Sequence, residues 1–98
     1  MALMQLTIVP MGVQSISSFI AEIQDRLKTC GLSFTMHDMG TIIEGEADEL
    51  LSLAAQIHQM PFAHGVKRVL TQISIDDRRD KVVRLGDKQR AVKNLSGG

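Results

Sequence analysis

Apolar residues switch repeatedly between two periods along this chain, and that alternation restricts the fold more than any single motif. Residues 3–9 read Leu-Met-Gln-Leu-Thr-Ile-Val, with Leu6 and Ile8 set against Gln5 and Thr7. This is the two-residue period of a strand with one buried face. Pro10 and Gly12 stop it. From Ser15 the period lengthens: Ile16, Phe19, Ile20, Ile23 and Leu27 fall on one stripe of an amphipathic helix. Ser15 is the expected N-cap, Glu22 and Arg26 an outer i,i+4 pair, and Gly31 the left-handed residue after Cys30.

The short period returns over residues 32–37, where Leu32, Phe34 and Met36 alternate with Ser33, Thr35 and His37. Asp38-Met39-Gly40 has the chemistry of a tight turn, and residues 41–45 read as the return strand of a hairpin. Asp48 is the expected N-cap of a second helix, with Glu49 beside it and Leu50, Leu53, Ala54 and Ile57 facing inward. Pro61 limits that helix. Residues 66–76 form a fourth strand, Val69, Thr71, Ile73 and Ile75 opposed to Arg68, Leu70, Gln72 and Ser74. The heptad-like Leu85, Val92 and Leu95 predict a short third helix over residues 86–95.

The order is β-α-β-β-α-β plus a C-terminal helix: an α+β, ferredoxin-like sandwich with an antiparallel sheet and both crossover helices on one face. The helix-facing set is Leu6, Ile8, Phe34, Met36, Ile43, Val69, Ile73 and Ile75. The far face is mixed: Gln5, Thr7, Val9, Ser33, Thr35, Ile42, Glu44, Leu70 and Gln72. Its apolar members, and a third helix in need of a surface, predict packing against another copy of the chain; a solvated sheet face is the alternative.

With 98 residues, 44% apolar and 22% charged, the chain is expected to be a single domain, 1–98. Eleven basic side chains cancel eleven acidic ones, which removes the positive field of a nucleic-acid binder. No apolar run approaches the ~20 residues of a membrane span. The first residues lack the flank of a signal peptide, and the single cysteine suits a reducing cytoplasm.

Chemical motifs are sparse. His37, His58 and His64 lack metal-ligand spacing, so no metal is expected. Cys30 at a helix end reads as a small cap residue rather than a nucleophile. The serines of Ser15-Ile16-Ser17-Ser18 can cap a helix or cradle an anion. Two segments stand out: Met39-Gly40-Thr41-Ile42-Ile43-Glu44-Gly45, a strand carrying a carboxylate among apolar neighbours, and Ile75-Asp76-Asp77-Arg78-Arg79-Asp80-Lys81, where a strand ends in mixed charge.

On those two segments, on Val9-Pro10-Met11-Gly12 and on Lys67-Arg68-Val69, the chain resembles the family of thiamine-binding proteins over essentially its whole length. The resemblance implies a ferredoxin-like fold, a homotetramer built as a dimer of dimers, and binding of thiamine or its hydroxymethylpyrimidine moiety without turnover. No resident cofactor is expected. Such a ligand needs a carboxylate for the thiazolium charge and the aminopyrimidine donors, hydroxyls for orientation and apolar walls. Thr41 and Glu44 are the candidates in the hairpin, with Ser15 or Ser17 as hydroxyl partners. Alternation puts Thr41 and Glu44 on opposite faces unless the strand is bulged. Asp76, Asp77 and Arg78 are expected at an interface, Arg78 pairing with a carboxylate of a neighbouring copy; a solvated charge run is the alternative. The competing functional reading is an oligomeric regulatory or scaffold module that binds another small molecule between subunits.

Overall fold

The computed structural model describes residues 1–80 and 85–95. Its elements are β1 (Ala2–Pro10), α1 (Ser17–Thr29), β2 (Phe34–His37), β3 (Gly40–Gly45), α2 (Ala47–Gln59), a 3₁₀ turn (Met60–His64), β4 (Val69–Asp77) and α3 (Asp87–Leu95). The strands form one antiparallel sheet in the order β2-β3-β1-β4. This is the expected ferredoxin-like arrangement.

Register explains which side chains are buried. Met4 lies opposite Ile43 on β3 and Ile75 on β4, and Leu6 lies opposite Thr41 and Ile73. These residues therefore share the face that α1 and α2 cover. Met4, Ile43, Leu50 and Ile57 are fully buried, and Ile23, Leu27, Leu53 and Ala54 complete the same core. Full burial of each large side chain contributes about 1.5–3 kcal/mol. The opposite face carries Gln5, Thr7 and Val9 from β1, Ile42 and Glu44 from β3, and Leu70, Gln72 and Ser74 from β4. Val9 and Leu70, directly opposed, are both exposed there.

Helix starts differ from the sequence reading. Ser15 is not the N-cap of α1: Ile16 holds that place, and Ser15 Oγ accepts the Ser17 N–H at 3.3 Å, which closes a local turn and delays the helix. Glu46 rather than Asp48 caps α2. Asp48 instead stands inside the first turn and accepts the Glu49 N–H at 2.9 Å, where its charge still meets the positive helix end. Gly31 takes φ +80° after the Cys30 C-cap, as expected.

The upper half of the α1 stripe is the larger difference. Ile23 and Leu27 are buried, but Ile16 and Ile20 remain about 40% exposed. The helix lifts from the sheet toward its N-terminus. At the far end of the chain, Lys88 of α3 reaches Asp76 at 3.3 Å, while Val92 and Leu95 stay exposed.

Candidate functional site

The lifted end of α1 leaves a recess of about 290 Å³ between helix and sheet. Its floor is Leu6, Ile8, Met36 and Thr41; its roof is Ile16, Ile20 and Ile23; its mouth carries His37, Asp38 and Met39 of the β2–β3 turn. Three local features make it. The β1–β3 ladder stops at Leu6 opposite Thr41, so β1 runs on toward Pro10 with β4 alone beside it. The turn is held against β1 by Thr7, whose hydroxyl donates to the Met39 carbonyl at 3.0 Å. Gly40 permits that approach, because a Cβ there would stand 2.8 Å from Thr7 Oγ1 and 2.9 Å from the Leu6 carbonyl oxygen.

Chemically the recess is an aliphatic and thioether chamber with polar groups at selected points. The Thr41 hydroxyl sits on the floor, in a residue only 6% exposed. Asp38 lies in the turn at the mouth beside His37, whose side chain alternates with that of Met36 and so belongs to the opposite sheet face. Alternation supplies one more pair of polar groups. The Leu6 carbonyl points toward Gly40 on the β3 side, so the main-chain N–H and C=O of Ile8 point the same way, past the end of β3, at a residue that lines the recess.

Of the residues named from sequence, Thr41 lines this recess. Ser15 and Ser17 are exposed just before and at the start of α1, flanking Ile16, and their hydroxyls lie 3.3 Å apart. Glu44 is buried, at 8% exposure, but stands opposite Leu3 on the other sheet face. The structure therefore does not bring Thr41 and Glu44 together, and no bulge overrides the alternation. Asp38, His37 and the isoleucine roof escaped the sequence reading. An apolar stripe that packs and one that walls a cavity have the same pattern.

A wider, open depression of about 530 Å³ lies at the other end of the sheet, lined by Glu46, Asp48, Asp77, Arg78, Arg79 and Asp80 among others. Its arginines are answered within the chain. Arg78 makes a two-pronged contact with Asp80 at 2.6 and 3.0 Å, and Arg79 pairs with Asp77 at 2.8 Å. The hydrogen bond from Arg79 holds the Asp77 carboxyl below its ordinary range, and Asp77 in turn raises Arg79. Among the described residues, no cluster of His, Cys, Asp and Glu has the geometry of a metal site. No described helix is long and apolar enough to cross a membrane.

Fold and recess together define a small α+β domain with an apolar recess of about 290 Å³ between its first helix and its sheet. The thiamine-binding protein family matches residues 4–93, and the chain belongs to it. A UPF0045 protein from the glkA 3′ region of Staphylococcus xylosus is 39% identical over 100% of this chain and 98% of its own length. The crystal structure of hypothetical protein MJ1052 from Methanocaldococcus jannaschii superposes with a TM-score of 0.82 at 28% identity, covering 96% of this chain and 97% of the other. A Thermotoga maritima protein provisionally described as serving thiamine biosynthesis or salvage shares the fold, with a TM-score of 0.77 at 17% identity over 93% of this chain and 97% of its own.

Proposed function

We propose that this protein binds thiamine or its hydroxymethylpyrimidine moiety, without turnover, in the recess over Thr41. The observation that carries the reading is a hydroxyl on the floor of an apolar chamber with the Asp38 carboxylate at its mouth. Ligand pockets commonly span ~300–1,000 Å³, so about 290 Å³ suits one substituted ring rather than an extended phosphorylated cofactor. An aminopyrimidine presents donors and acceptors along one edge, which Thr41 and the Ile8 main chain complement. The cationic thiazolium of thiamine would then lie toward Asp38. Ser15 and Ser17 are near enough to the roof to orient an exposed substituent. The family match supports the same ligand class.

The protein acts as a homo-oligomer in this reading, a cytoplasmic dimer of dimers. The half-apolar far face is the surface to be covered, with Asp76, Asp77 and Arg78 at the boundary between copies. Glu44, on that face, meets a ligand only if one lodges between copies. A regulatory or scaffold role is the second reading, favoured by the exposed Val9–Leu70 pair, which offers a surface without needing a ligand.

Calorimetry with hydroxymethylpyrimidine and thiamine tests the first reading. Both should bind, and Thr41→Val, which keeps shape and removes the hydroxyl, should weaken binding about tenfold while leaving stability close to wild type. Absence of heat at millimolar ligand would remove the proposal.

A further inference from the structure

β4 is the outer strand of the sheet, and its sequence is complementary to itself when reversed. It pairs with β1 on one side; among the described residues no strand covers the other. The Arg68 carbonyl accepts the Met11 N–H at 2.9 Å, so the main-chain groups of even-numbered residues here face β1. Those of Val69, Thr71, Ile73 and Ile75 consequently face outward, a row of open donors and acceptors. Around Gln72 the order of residue types is Lys67-Arg68-Val69-Leu70-Thr71 before it and Ile73-Ser74-Ile75-Asp76-Asp77 after it. Two basic residues begin the segment and two acidic residues end it.

We propose that β4 pairs antiparallel with β4 of a second copy about a two-fold axis at Gln72, joining the two four-stranded sheets into one. This deepens the assembly part of the function proposed above and rests on it. Antiparallel pairing must keep each residue opposite one on the same sheet face, so the register can shift only in steps that preserve face. With Gln72 opposite itself, Val69 meets the second copy's Ile75, and Thr71 meets its Ile73, through the outward-facing main-chain groups. Arg68 then lies opposite the second copy's Asp76 on the far face, and Lys67 opposite its Asp77 on the helix face. The two-fold repeats both pairs. Moving the axis to Ile73 instead sets Arg68 opposite the second copy's Arg78 and Lys67 opposite its Arg79, and the charge match is lost.

Three further observations agree with this register. Among the described residues neither Lys67 nor Arg68 has an ion-pair partner in its own chain, whereas Arg78 is held by Asp80; Asp76 and Asp77 meet Lys88 and Arg79 within the chain, so pairing between copies shares or exchanges those two contacts. A groove of about 340 Å³ runs between α2 and this edge, walled by Leu51, Ala54, His58, Thr71 and Ile73. Leu51 and Ile73 are exposed in it, at 52% and 44%. The second copy's Ile73, opposite Thr71, enters this groove from the side, and the symmetry-related Ile73 does the reverse. The main-chain ladder supplies association, and the end charges select one register from several.

Cysteine cross-linking reads the register directly. Gln72 faces its own copy at a pair without main-chain hydrogen bonds, where Cα atoms approach to ~4.5 Å, within disulfide reach. In a Cys30→Ser background, Gln72→Cys should form a disulfide-linked dimer under mild oxidation. Ser74→Cys should not, because its two copies stand roughly 13 Å apart. Arg68→Asp and Asp76→Arg should each weaken self-association about tenfold, and the double exchange should restore it, since reversal makes both symmetry-related pairs repulsive and then attractive again. Light scattering separates the two levels of failure. An intact oligomer without the Gln72 cross-link, or with equal cross-linking at residue 74, overturns the β4 pairing and leaves assembly standing. A monomer at micromolar concentration overturns both.

Discussion

Replacing Gly40 by alanine should be among the most damaging single-methyl changes on the surface of this protein. Gly40 has φ +155°, and a Cβ built on it stands 2.8 Å from Thr7 Oγ1 and 2.9 Å from the Leu6 carbonyl oxygen. Real Cβ atoms do not approach so closely. The Thr7 hydroxyl can rotate, but the Leu6 carbonyl cannot: Leu6 is buried in the central strand, opposite Thr41 on one side and Ile73 on the other. The hairpin must therefore move. Overpacking costs ~1–3 kcal/mol and a strained backbone a similar amount, so a loss of about 2–6 kcal/mol is expected. For a domain of this size that lowers the melting temperature by roughly 10–30 °C. Urea unfolding followed by circular dichroism should show a lower midpoint with an unchanged slope. Thr7→Ala separates the causes. Alone it removes the hydrogen bond to the Met39 carbonyl, at about 0.5–1.5 kcal/mol. In that background Gly40→Ala should cost about 1 kcal/mol less, because one of two collisions has gone. Strict additivity, or a Gly40→Ala protein within 0.5 kcal/mol of wild type, would refute the reasoning.

Two other expectations concern the core and the acid end of β4. Met4→Ala empties a fully buried position between Ile43 and Ile75 and should cost about 2–5 kcal/mol, measured by the same unfolding midpoints. Asp77 has a lowered native pKa through the Arg79 hydrogen bond, so its contribution to stability is complete above the ordinary carboxylate range near ~3.9 and disappears as pH falls through the native value. Asp77→Asn should flatten the pH dependence of the urea midpoint below pH ~4, and an unaltered slope would contradict the pair.

The layered fold was legible because period and order are written in the same residues. Leu6, Ile8, Phe34, Met36 and Ile43 alternate cleanly, and alternation alone separated Thr41 from Glu44, as the β1–β3 register requires. Helix starts were harder. A serine before an apolar stripe suits a cap, yet the Ser15 hydroxyl was already engaged with the Ser17 N–H. The recess was illegible for a different reason: Ile16 and Ile20 continue the same stripe as Ile23, and only the tilt of α1 decides which of them packs. The self-complementarity of β4 was present in the sequence but had no meaning until the strand order put β4 at an edge.

Of the described strands, the earliest in the chain is the last to be finished. Ala2 of β1 lies opposite Gly45 on one side and Asp77 on the other, so its two partners stand far apart in the chain. As the chain emerges during synthesis, β1 can acquire β3 and the first helix early, but its second edge stays open until residues beyond 69 appear. Such a protein cannot mature by adding finished layers in sequence. Its central strand is half-paired until β4 arrives, a long-range closure of the kind that slows the folding of non-local sheets and lets stray contacts compete. A nascent chain stalled before β4 would therefore display the future middle of the protein as a bare margin, where another chain could settle first.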